Sequence, residues 1–110
     1  MNIDVDKLQK EYFKVAQKRA ENGAFRLQDA LKHAAGECIE AKEAEIAYNK
    51  VYLETSEVSF EARKNLTEEL ADIIYCTMTE ASLENIKFSE ILHTGFEKNQ
   101  ARAEGRGDKV

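Results

Sequence analysis

The stretch "LQDALKHAAGECIEAKEAEIAYNKVYLE", residues 27–54, decides the fold. Leu27, Ala30, Leu31, Ala34, Cys38, Ala41, Ala44, Tyr48 and Tyr52 recur at spacings of three and four, the period of one helix face. No proline interrupts them, so one long helix is expected from Leu27 to Glu54. Acids crowd its middle: Glu37, Glu40, Glu43 and Glu45. At about 100° per residue, Glu37 falls inside the arc of Ala34, Cys38, Ala41, Ala44 and Tyr48. Glu40 lies roughly 60° off, at the arc's edge, and Glu43 another 60° round. An ionised carboxylate turned inward without a partner costs on the order of several kcal/mol, so Glu37 calls for a proton or a cation. Glu45 reads as a solvated surface acid.

Working outward, a helix is expected from Asp4 or Asp6, either of which can cap it, to about Ala20. Leu8, Phe13, Val15 and Ala16 share one side of it, and Asn22-Gly23 marks the turn that follows. Downstream, "TSEVS" (55–59) is a connection with capping side chains. A third helix runs from about Phe60 to Asn85, with Leu66, Leu70, Ile73, Ile74, Thr77, Met78 and Ala81 as its stripe. Ser89 is the expected cap of a fourth, carrying Ile91, Leu92 and Phe96 inward. Residues from about 101 to 110 read as a polar tail.

Residues 1–110 are thus expected to form a single all-α domain, a four-helix bundle. A chain this short, made of long helices, buries a limited core alone, so a homodimer or homotetramer is expected. The formal net charge of −5 argues against nucleic acid as a partner, because phosphate binding needs a basic face. No apolar run reaches the ~18 residues of a membrane span, and "MNIDVDKLQK" lacks the apolar core of a signal peptide. A cytoplasmic location follows as an expectation. Cys38 and Cys76 lack the paired spacing of a zinc or redox motif and read as buried, reduced thiols.

The third helix repeats the acidic theme. "TEELADIIYC" (67–76) places Glu69 and Asp72 three apart, bordering the Leu66, Leu70 and Ile73 stripe. If the two seams face each other, Glu37, Glu40, Glu69 and Asp72 converge. Carboxylates so placed repel unless a divalent cation sits among them, and oxygen-only ligands favour Mg²⁺, Mn²⁺ or Ca²⁺ over zinc. Mg²⁺ is the expected ion, with Mn²⁺ as a substitute. Glu40 and Glu43 also form an E-x-x-E pair; the inward position of Glu37 favours the first register.

The ordered set of E-x-x-E in "GECIEAKEA" (36–44), E-x-x-D in "LTEELADIIYCTMTEASLENI" (66–86) and K-N-x-x-R in "FEKNQARAEGR" (96–106) resembles the MazG-type all-α nucleoside triphosphate pyrophosphohydrolases. The likeness spans about residues 30–106. It implies metal-dependent hydrolysis of a (d)NTP between the α- and β-phosphates, giving the (d)NMP and pyrophosphate. It also implies metal-binding roles for Glu37, Glu40, Glu69 and Asp72, and substrate-phosphate contacts for Lys98, Asn99 and Arg102. Arg106 and Lys109 are further candidates for those contacts. Two departures bear on substrate choice: Gly36 stands where the family often has a second glutamate, and the chain has no tryptophan.

Glu40 is the expected acceptor of the attacking water's proton. Phe25 and Arg26 are candidates to meet a base, although Phe25 reads first as a core anchor. Tyr48, Tyr52 and Tyr75 read as core or interface, and His33 as structural. A ferritin-like dimetal bundle needs two Glu-x-x-His units, and only Glu90 and His93 supply one. The remaining rival is a non-catalytic helical dimerisation or regulatory module with surface acids.

Overall fold

The computed structural model describes residues 2–106. Residues 107–110, which include Lys109 and the end of the expected tail, lie outside the described residues. The described chain is all-helical, with α1 at Val5–Glu21, α2 at Ala30–Thr55, α3 at Phe60–Leu83 and α4 at Phe88–Ala103. Two boundaries differ from the expected ones. Leu27–Asp29 form a separate 3₁₀ turn before α2, and α4 carries residues 101–103 that had read as tail.

Local chemistry sets the ends. The Asp4 side chain accepts from the Lys7 amide at 3.1 Å and caps α1. Ser59 does the same for α3, accepting from Ala62 at 3.1 Å. Ser56 and Asn85, with φ of 59° and 58°, turn the chain out of α2 and past α3 through the left-handed region.

The largest packing surface lies between α2 and α3; α1 packs on α3, and α4 on α1. The core gathers Ala16, Phe25, Ala30, Tyr75 and Cys76, with Tyr12, Leu27 and Ala34 against it. Along α2 the buried positions are all alanines, Ala30, Ala41 and Ala44, which lets α3 approach closely. The apolar stripes were therefore read too broadly. Leu31 and Tyr52 on α2, Leu70 and Ile74 on α3, and Leu92 and Phe96 on α4 are exposed, as is Cys38. Much of the apolar perimeter of these helices therefore faces outward.

On α1 the inward residues are Gln9 and Ala16, not Leu8 and Val15. Gln9 is the reason. Its amide nitrogen donates to the Ile86 carbonyl at 2.9 Å and the Ser82 hydroxyl at 3.2 Å, while its oxygen accepts from the Phe88 amide at 2.7 Å. One buried side chain thereby satisfies the chain where α3 turns into α4. Asp6 completes the clamp, accepting from the Ser89 amide at 3.2 Å and hydroxyl at 2.9 Å. Ser89 is not the cap of α4 that its sequence position suggests; an acid from α1 serves the helix start instead. The hydrogen bond from the Ser89 hydroxyl, then that from its amide, holds the Asp6 carboxyl below its ordinary value. Asp6 therefore contributes stability above the ordinary carboxylate range, and that contribution fades as pH falls through its lowered value.

Replacing Gln9 with alanine leaves the buried Phe88 amide and the part-buried Ile86 carbonyl without their partner. Urea unfolding of Gln9→Ala should show a loss of about 2–3 kcal/mol, within the range for stranded buried polar groups.

Candidate active site

Glu37 and Glu40 stand one turn apart on α2, and Glu69 faces them from α3. One carboxylate oxygen from each lies within 4.8 Å of the others. Glu37 and Glu69 are half-buried and Glu40 is exposed. The Oε2 atoms of Glu37 and Glu69 are fully buried and have no hydrogen-bond partner among the described residues. The α2–α3 packing is what forces this meeting, since Ala41 and Ala44 on one helix leave room for the other.

The electrostatics record the strain. Burial pushes the Glu37 carboxyl up to about 7, helped by its hydrogen bond and repulsion with Glu40 and by the charges of Asp72 and Glu69. Burial likewise raises Glu69, followed by the hydrogen bond and charge of Glu40. Three carboxylates at this spacing, two of them with a buried, unpartnered oxygen, form a set of acidic oxygens with no cationic side chain among them. That is the ligand chemistry of a hard divalent cation, and the residues fit one.

Asp72 stands at the edge. It is exposed and its carboxylate does not join the three within that distance, yet its charge acts on both Glu37 and Glu69. Lys98, Asn99 and Arg102 are carried on α4, whose packing is against α1. Asn99 donates to the Gly95 carbonyl at 2.8 Å, and Lys98 is exposed. Arg106 pairs with Glu104. Among the remaining acids, Glu45 pairs with Lys42 at 2.6 Å on the surface, and His93 pairs with Glu97 at 2.8 Å instead of joining Glu90 in a metal unit. Gly36 leaves open space where a Cβ would stand, so the missing glutamate is not a packing requirement.

A small cavity of about 120 Å³ adjoins the cluster, bounded by Arg19, Phe25, His33 and Tyr75 together with Glu37 and Asp72. The Arg19 guanidinium lies 5.3 Å from the Phe25 ring and 5.2 Å from the Tyr75 ring. Phe25 packs on His33 at 5.1 Å and on Tyr75 at 5.5 Å. Phe25 is a core residue, as read from the sequence, while Arg26 turns to Asp29 at 3.7 Å. The role of Arg19, His33 and Tyr75 as cavity walls was missed. Two signals existed: His33 is one turn before Glu37, and Tyr75 one turn after Asp72. Arg19 had none, because α1 reaches the site only through tertiary packing.

The sequence matches a family model over residues 4–99, and with it comes the class: a pyrophosphohydrolase, acting on acid anhydrides, of the MazG-like all-α NTP pyrophosphohydrolase superfamily. The model is that of phosphoribosyl-ATP pyrophosphohydrolase, and the chain belongs to that family. The resemblance read from the motifs holds at the level of the superfamily. The family is generally dependent on divalent metal, in keeping with the acidic cluster. No curated protein and no solved structure matches the chain. No helix among the described residues is long and apolar enough to cross a membrane.

The raised Glu37 carboxyl has a thermodynamic consequence. It holds its proton more tightly folded than unfolded, so its contribution to metal-free stability is full below the ordinary carboxylate range, near 4.5, and is lost as pH rises to about 7. Melting of the metal-free protein should show a lower midpoint at pH 8 than at pH 5. Mg²⁺ or Mn²⁺ should restore the midpoint at pH 8, and Glu37→Gln should flatten the slope and weaken the metal's effect.

Proposed function

We propose that the chain is a Mg²⁺-dependent nucleoside triphosphate pyrophosphohydrolase that cleaves (d)NTP to (d)NMP and pyrophosphate, with Mn²⁺ able to substitute. The observation that carries this reading is the meeting of Glu37, Glu40 and Glu69 with two buried, unpartnered oxygens. Glu37, Glu40, Glu69 and Asp72 would hold the ion. Bound there, a divalent cation neutralises phosphate charge and lowers the pKa of water. Glu40 is the exposed member of the three and faces arriving solvent, which suits it to take the proton of the attacking water. Lys98, Asn99 and Arg102 would meet the substrate phosphates.

A second reading differs only in the substrate. The family match favours phosphoribosyl-ATP, which carries the same triphosphate to be cut. Pyrophosphate release should be measured from a panel of NTPs, dNTPs and phosphoribosyl-ATP, with and without Mg²⁺. Metal-dependent release is expected, and the fastest substrate decides between the readings. Glu40→Gln should abolish release while largely sparing nucleotide binding. No release from any member would favour a non-catalytic helical module.

The location of the α4 cations bears on assembly. A compact chain of this length has a radius of gyration of about 13 Å, whereas this protomer measures 16.7 Å. Ile39, Ile46 and Leu53 follow each other at heptad spacing along α2, and all are more than half exposed, as is Phe96 on α4. A second copy of the chain would cover these faces, as dimer or tetramer, and bring its own α4 to the acids of the first. Mixing Glu37→Gln with Lys98→Ala, each inactive alone, should then regain part of the activity after subunit exchange. Failure to regain any would place both residues in one protomer's site.

A further inference from the structure

We infer that a second cavity, between α1 and the turn from α3 into α4, binds a nucleoside monophosphate, its phosphate against Lys10, Lys14 and Lys87 and its base on Phe13. The inference stands apart from the pyrophosphohydrolase reading, although that reaction releases a molecule of this class.

Place and size come first. The cavity measures about 700 Å³ and is walled by α1, the end of α3 and the turn that follows it. Sites for whole small molecules run to about 300–1,000 Å³. It shares no wall residue with the cavity beside the acids. Ser82, on its wall, lies ten residues beyond Asp72 along α3, about 15 Å at ~1.5 Å per residue.

Charge says what this cavity takes. Its wall carries three cations, Lys10, Lys14 and Lys87, and one acid, Asp6, a balance of +2 on a chain of net charge −5. A phosphate monoester carries about −1.5 to −2 at pH 7, which matches that balance. Lys10 and Lys14 stand one turn apart on α1 and share a face, while Lys87 stands at the head of α4. Lys10 and Lys87 form no ion pair with any described residue. Lys14 meets Glu11 at 3.3 Å across an exposed surface, a pairing easily given up. Asp6 is committed to the Ser89 amide and hydroxyl, and the charges of Lys87 and Lys10 reach it only at longer range.

Phe13 supplies the second contact. It is half-buried in a wall of mostly polar residues, and among the described residues no other ring packs on it. An aromatic face accepts any base, because every base has a π-face to stack. Gln17 and Asn85 add side-chain amides to the same wall, able to donate to and accept from a base edge or a sugar.

The test is calorimetric titration with AMP in EDTA, where the acidic cluster has no cation to draw a phosphate to it. AMP should bind about tenfold more tightly than adenosine, which lacks the phosphate, and than ribose 5-phosphate, which lacks the base. Joint Lys10→Ala and Lys87→Ala substitution should weaken AMP about tenfold with an unchanged melting midpoint, since both side chains are exposed. Glu37→Gln should leave AMP binding unchanged. No binding at about 1 mM AMP would overturn the inference. So would adenosine or ribose 5-phosphate binding as tightly as AMP, or loss of AMP binding in Glu37→Gln with none in the lysine variant. Pyrophosphate release without AMP binding in EDTA would leave the proposed activity standing and remove this site; AMP binding without release from any nucleotide would do the reverse.

Discussion

Repulsion among carboxylates is the constraint around which this protein is arranged. Glu37, Glu40 and Glu69 are brought within 4.8 Å on a chain of net charge −5, where every long-range contribution already disfavours more negative charge. Hydrophobic packing along the alanine seam of α2 imposes the meeting, and without a counter-charge protonation must relieve it. Burial lifts the Glu37 carboxyl to about 7, so near neutrality the cluster stands between holding a proton and holding a cation. The same feature that weakens the fold is what fits the cluster to a divalent cation. An acidic protein meets a polyphosphate only through an ion that reverses the local field.

The helices divide the labour around that point. α2 and α3 hold the acids, while α1 supplies Arg19 to the cavity and anchors α4. The K-N-x-x-R segment sits on α4, which packs on α1. Lys42 and Lys64 each pair with a surface acid, Glu45 and Glu68, away from the cluster. Glu45 pairs with Lys42 on the surface while a buried oxygen of Glu37 has no hydrogen-bond partner among the described residues, and this separates the two although both lie on one helix.

Much of this was legible in the sequence, for reasons that differ by element. Helix periodicity located all four helices and turned Glu37 inward, because 3.6-residue geometry is local. It also paired Glu69 with the first acids once the seams were matched. What failed was whatever depended on which seam wins. Leu31, Leu70 and Phe96 read as core and are exposed, since a stripe does not say how much of its width a single neighbour covers. Gln9 was invisible as a core residue because its burial rests on three hydrogen bonds to residues far along the chain. Asp6 and Ser89 each looked like a cap for its own helix, yet the acid serves the other's. Tyr75 was read as core, correctly, but its unpaired hydroxyl is a property only of packed coordinates.

The clamp at Gln9 also sets the order in which this chain can fold. Its three bonds span 73, 77 and 79 residues, whereas α2 and α3 are joined by a short connection. Closing so long a loop carries a large entropic cost, and nothing offsets it until α1 has found α3. The acid-bearing hairpin can therefore form early from local contacts, with α1 and α4 locking late and together. A nascent chain would present its charged cluster before the cavity beside it exists.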